Sequence, residues 1–349
     1  MTLPASGAIS LADLRTEYVG GSSSISLGDL YRGGANIKAK EGDNPATNLA
    51  ASVPTSGAIN ISDFHGTAKG FKATVGSSTT NVDINTLFGG DYDTNYPKVV
   101  DINSGVTIGG SGDDAIDIPS GLAGGLTINN AGSILGFGGA ANGGAGGNAI
   151  SNSASGVTIN NTGLVAGGGG GGGNGGTGGN GSSTVTTTST NIFSAGSYHW
   201  RWTSGVWSGV GSWTHPGGST SKSFGGHTFS RGSYRYEDGN GLAYWGITGN
   251  IVSTVSTAGG SGGSSGRGQG YNQSRTLGQA GAAGGTNAGT GGYGGNGGVY
   301  GQAGGAGSSG ANGNSTNGLG GTSGGAAGAA VTGTSVTMNN SGTLYGAVA

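Results

Sequence analysis

The chain has 349 residues, of which 88 are glycine, with 8% charged residues, six prolines and no cysteine. Globular domains carry about 7% glycine and about 25% charge, so a conventional enzyme with a large aliphatic core is not expected. A disulfide scaffold and a cysteine metal site are excluded. The net charge of −2 leaves no basic footprint for nucleic acid.

Met1-Thr2-Leu3-Pro4 opens the chain without a basic region followed by an apolar run, so no secretory signal is read there. No stretch approaches the ~20 consecutive apolar residues of a membrane-spanning helix. Charge is concentrated between Asp13 and Asp117, is absent from there to Arg201, and is absent again after Arg275. That shift separates a conventional N-terminal part from a glycine-dominated remainder.

The N-terminal part contains a short repeat. Residues 6–14, Ser-Gly-Ala-Ile-Ser-Leu-Ala-Asp-Leu, match 56–64, Ser-Gly-Ala-Ile-Asn-Ile-Ser-Asp-Phe, and a partial copy occupies 24–31. In each copy Ser or Asn precedes Asp by three positions. That spacing suits a helix start, the first side chain capping orphan N–H groups and the Asp favouring the positive helix end. The apolar residues Ile9, Leu11, Leu14, Ile25, Leu27, Leu30, Ile59, Ile61 and Phe64 either stabilise these turns alone or anchor the module in grooves of a larger assembly.

From about residue 71 to 118, Val75, Val82, Ile84, Val99, Val100, Ile102, Val106 and Ile108 alternate with polar residues and Gly, predicting a small β region. A second repeat follows at 126–136, 157–167 and 336–346. Each copy reads as a short strand, an Asn-Asn turn with Gly available for positive φ, and a second short strand. The copies bracket the glycine tracts, so the C-terminus is expected to return and close the domain. The spacing is too irregular to predict a regular solenoid.

Glycine recurs at every third position from 289 to 313, and at 318, 321 and 324 after a break, while 172–181 carries two glycines in three. Period three is that of the polyproline-II helix, which has no internal backbone hydrogen bonds. Such helices must bond one another, and glycine permits the close approach. The tracts therefore read as a bundle of glycine helices, with a flexible linker as the alternative.

Between the tracts, 191–247 holds all five tryptophans. This segment predicts a small β module. Its aromatics either form its own core or, for Tyr198, Trp200, Trp202, Trp207, Trp213, Tyr234, Tyr236, Tyr244 and Trp245, meet a partner, since Tyr and Trp are enriched at binding hot spots. His199, His215 and His227 lack metal-ligand spacing. Asp113, Asp114 and Asp117 read as a solvated turn. No cofactor, metal or catalytic group is expected.

Residues 6–14 and 56–64 resemble repeats near the start of tailed-phage virion proteins. The Asn-Asn turns around glycine tracts resemble glycine-rich phage tail-fibre and tail-tip proteins, and are similar to T-even tail-fibre-tip adhesins with a polyglycine sandwich. The resemblance implies a receptor-binding protein assembled in the host cytoplasm and carried on the virion. Its partners would be other tail or fibre proteins and a host-surface protein or glycan, with a homo-oligomer left open. The expected class is mostly β and irregular: docking turns at 1–68, a β region at 69–120, β repeats and the first glycine tract at 121–190, an inserted aromatic module at 191–257, and a second polyproline-II tract with the closing repeat at 258–349. The alternatives are a purely structural tail component, or an ice-binding or extracellular glycine-helix protein. An ice binder needs a flat Thr or Ala face, and Thr and Ala are scattered along the chain.

Overall fold

The structure, a computed structural model, describes residues 3–40, 45–195, 221–224, 227–237 and 243–349, with side chains described outside 187–252. The three N-terminal copies form capped turns: a helix at Leu11–Leu14 and 3₁₀ turns at Leu27–Leu30 and Ile61–Phe64. The expected reciprocal caps are present, with the backbone N–H of Ser10, Ser26 and Asn60 donating to Asp13, Asp29 and Asp63, each at 2.8 Å. Ile9 and Leu14, the residue before the cap and the fourth helical residue, pack on one core as a hydrophobic staple would. Leu30 and Phe64 join them, with Tyr18 edge-on to Phe64.

Beyond Gly70 the chain winds into coils with three parallel faces. The first face stacks Phe71–Val75, Lys98–Ile102, Leu126–Asn130, Val157–Asn161 and Thr337–Asn340. The second stacks Thr79–Thr80, Thr107–Gly109, Ser133–Leu135, Leu164–Ala166 and Thr343–Tyr345. The third stacks Val82–Asp83, Ile116–Ile118, Ile150–Asn152 and Val331–Gly333. All these pairings are parallel and in register. This is a β-solenoid, and it corrects the reading of irregular spacing as evidence against one. Coil lengths differ because excursions leave at the corners, 84–97 between the third and first faces and 136–149 and 167–330 between the second and third, while the strand registers stay in phase. The C-terminal copy does return, pairing with the second copy, which pairs with the first.

The Asn-Asn-x-Gly units also differ from their sequence reading. Their two strands lie on different faces and do not pair with each other. Gly132, Gly163 and Gly342 are not in the positive-φ region. Glycine is required there by crowding: a Cβ at Gly163 would sit 2.0 Å from the carbonyl oxygen of Gly132 one coil below.

Inside the solenoid, Ile, Val and Leu from successive coils share one cluster running from Phe71 to Val331, so the expected boundary at 120 falls within it. Two Asn columns run along the first face. The buried one links Asn130 to Asn161 at 2.8 Å and Asn161 to Asn340 at 2.7 Å. The outer one links Asn339, Asn160 and Asn129 to Asp101, each step 2.8 Å, and Asp101 pairs with Lys72 at 2.5 Å. Beside it Thr127, Thr158 and Thr337 stand in register, so three threonines that are scattered in sequence form a short row.

Among the described residues, eight extended, glycine-rich segments make up the lateral excursions, seven of them around one axis, and their hydrogen bonds define the arrangement. Segment 167–180 is central. Its N–H groups donate to three neighbours in rotation, for example Gly168 to Gly147, Gly169 to Gln269 and Gly170 to Gln302. Its carbonyls accept from three others in rotation, from Gly139 at Gly169, Gly298 at Gly170 and Gly325 at Gly171. Segments 136–141, 258–270, 288–299, 302–313, 316–330 and 144–148 thus surround it, each bonded to the next around the ring. A further segment, 274–285, lies outside, against 258–270 and 288–299.

This arrangement explains the glycine pattern. Residues 167–173 are all glycine and all buried. Asn174, Thr177 and Asn180 then appear every third position, on the side where 144–148 has ended. Of the nine in-phase glycines from 289 to 313, eight belong to two antiparallel segments and the ninth, Gly301, lies in the turn that joins them, with φ of 66°.

Candidate functional site

The glycine segments leave the solenoid as direct continuations of its strands, and their other end carries the remaining β structure. Gly181–Ala195 and Ala243–Thr257 pair antiparallel along their full length. His227–Glu237 and Ser221–Phe224 extend this into a four-stranded sheet. The first strand is rich in Thr, which favours extended backbone. It begins at Gly181, before the composition shift at Asn191.

At the base of this ribbon one face carries two exposed valines that the register places together. Val185 and Val255 are 44% and 45% exposed. Two turns of the bundle pin the base. Ser182 N–H donates to Asn314 Oδ1 at 2.7 Å, while Asn314 and Asn287 amides donate to the Ser182 carbonyl at 2.9 and 3.0 Å. Thr257 Oγ1 donates to the Thr286 carbonyl at 2.5 Å. Sequence reasoning passed over these turn residues. The signal was present in the break of the glycine period after 313, where a segment must reverse.

Four of the aromatic candidates lie on described strands. Trp245 pairs with Phe193 on one side and Tyr234 on the other, and Tyr244 with Ser194 and Tyr236. Tyr234, Tyr236, Tyr244 and Trp245 therefore occupy two successive register rows. Tyr198, Trp200, Trp202, Trp207 and Trp213 lie outside the described residues.

The N-terminal candidates are brought together, but around their own core. Leu14, Leu30 and Phe64 are fully buried, and Ile9 is nearly so. Ile25, Leu27, Ile59 and Ile61 are half-buried against them. Leu11 alone of the nine is largely exposed, at 41%.

Where the N-terminal module meets the solenoid, Tyr96 bonds Asn36 through its hydroxyl at 3.2 Å, and Lys69 lies 5.0 Å from its ring centre. Lys98, buried between Phe71 and Leu126, donates to the carbonyls of Thr94, Tyr96 and Ala123 at 2.6–2.8 Å. Burial pushes the Lys98 ammonium down to about 8, against the opposing charges of Asp91 and Asp93. Among the described residues no group of His, Asp or Glu has the arrangement of a metal site, and no helix is long and apolar enough to cross a membrane.

The family described as phage tail fibre adhesin Gp38 matches residues 70–254, just over half of the chain. The chain therefore belongs to this family of tail-fibre adhesins. The match begins at Gly70, where the solenoid begins, and leaves the N-terminal module outside. Among solved structures, the gp37-gp38 adhesin tip complex of the bacteriophage S16 long tail fibre is similar over 84% of this chain and 88% of that one, at 19% identity and a TM-score of 0.35. No curated protein matches.

Proposed function

We propose that this tail-fibre adhesin attaches to the virion through residues 1–68 and meets the host surface through the aromatic module and the turns at its base. The glycine segments act as polyproline-II helices forming a rigid, charge-poor spacer between the two. Their period-three lateral bonding supports that reading, since a helix with three residues per turn presents its N–H groups to three neighbours in rotation.

The observation that carries the contact assignment is the position of the ribbon, at the end of the bundle away from the solenoid. Tyr234, Tyr236, Tyr244 and Trp245, with Tyr198, Trp200, Trp202, Trp207 and Trp213, supply large apolar surface with polar handles, suited to a protein or glycan receptor. Docking uses the exposed Leu11 and the half-buried Ile25, Leu27, Ile59 and Ile61, with Ile9, Leu14, Leu30 and Phe64 holding them in place. The partner is another tail or fibre protein. The action is adhesion rather than catalysis.

Particles carrying the chain without residues 191–247 test this assignment. They should keep the adhesin but lose adsorption to host cells. Undiminished adsorption would move the contact elsewhere, and would leave the chain a structural fibre component if antibody against the intact protein also failed to block.

A further inference from the structure

The solenoid has an unfinished edge at its first coil. Thr79–Thr80 and Val82–Asp83 are the terminal strands of the second and third faces. On the first face, Thr47–Asn48 covers only Phe71 and Lys72 of the outermost strand. Backbone direction alternates along a strand. Phe71 N–H bonds inward to Pro97, and the Val75 carbonyl accepts inward from Asn103, so Thr74 faces the other way. Asn81 and Val82 bond inward to Gly109 and Ala115, so the N–H groups of Thr80 and Asp83 also point to the open side.

A groove of about 380 Å³ runs along this edge, between Thr74, Thr79, Thr80 and Asn81 on one side and Thr86 and Leu87 of a short helix, Ile84–Phe88, on the other. Asp83 lines this groove, and Asp113, Asp114 and Asp117 cluster near it on the next coil. Asp83 and Asp117 are register partners, and burial with the charges of Asp83, Asp114 and Asp113 pushes the Asp117 carboxyl up. None of these four carboxylates forms an ion pair among the described residues, although Asp83 caps the helix through Asn85 and Asp114 accepts from Asn148.

We infer that the first-coil edge receives an extended, Lys- or Arg-bearing segment of the fibre protein to which the adhesin attaches, which follows the coil around its corners and pairs with the outward backbone of Thr74, Thr80 and Asp83 on its three faces. Strand addition supplies main-chain bonds for affinity, and complementary charge supplies selectivity and a fast encounter. The edge lies on the coil that joins the N-terminal module. The inference therefore rests on the docking reading and extends it to a second contact.

The experiment uses the full chain and tail fibres purified from particles that lack it. Thr80→Pro removes the outward N–H while keeping the inward bonds, a substitution that solvent-facing edge strands accept. It should weaken fibre binding at least tenfold with unchanged thermal unfolding. Asp117→Lys should weaken it severalfold, most strongly at low salt. The amides of Thr74, Thr80 and Asp83 should exchange at least tenfold more slowly on the fibre. Wild-type affinity of Thr80→Pro with unprotected amides overturns the inference. If Leu11→Asp then abolishes binding, the docking reading stands without it. Failure of the intact chain to bind the fibres overturns both.

Discussion

Adding one methyl group measures how tightly the glycine segments are held. A Cβ at Gly172 would lie 2.0 Å from the carbonyl oxygen of Gly295, whereas one at Gly320 meets nothing within 4 Å. Gly172→Ala must push two segments apart and break their shared hydrogen bond, and should cost about 3 kcal/mol or more. Gly320→Ala should be neutral or stabilise by about 0.4–1 kcal/mol, through the entropy of the unfolded chain. Denaturant titration of both variants measures the contrast; equal effects would mean the close approach is not what holds the segments. At the solenoid entrance, Lys98→Met would orphan three carbonyls and remove the charge that faces Asp91 and Asp93. The expected loss is about 3 kcal/mol at pH 7. The sequence marks the glycines by their phase, but Lys98 carries no local signal. It occupies an apolar column position, and only the meeting of 94–96 with 123 gives its ammonium acceptors.

Among elements, the Asn columns are the most specific feature of the first face. Asn161 donates to Asn340 and accepts from Asn130 with no exposure to water. Asn161→Leu keeps the volume but strands its neighbours' amide groups, and should lower stability by about 2–3 kcal/mol. A double substitution with Asn130→Leu should cost less than the sum of the two single changes, because both ends of one bond go together. The outer column adds an acid-sensitive link. Burial pushes Asp101 up, but hydrogen bonds from Lys72 and Asn129 and the Lys72 charge outweigh it and hold the carboxyl below its ordinary value. Its contribution is complete above the unfolded value of about 3.9 and is lost as pH falls through the lower folded value. Lys72→Met should remove that part of the acid dependence, which unfolding midpoints between pH 5 and pH 2 would record. The capped N-terminal turns were legible residue by residue, since a capping box is local. The solenoid was not, because each coil breaks off at a corner for a length that sequence spacing does not constrain.

Across the whole molecule, three kinds of order meet in one chain: a module held by apolar staples, a solenoid held by stacked Ile and Asn, and a bundle held almost wholly by backbone hydrogen bonds. The bundle has few charges and a limited side-chain core, so its stability should change little with salt. Its amides should be among the slowest to exchange, with residues 167–173 slowest because all six sides of the central segment are bonded there; exchange as fast as in an unfolded chain would rule the bundle out. Composition and phase established that glycine here is structural, that the N-terminal turns are capped, and that the aromatic segment stands apart. Those are properties of neighbours a few residues away, and side-chain chemistry expresses them locally. Which glycines must have no side chain, where the coils stack, and that one edge of the solenoid stays open emerged from the three-dimensional arrangement. They depend on chain segments separated by up to about 180 residues in sequence meeting at hydrogen-bond distance, and no local pattern encodes such a meeting.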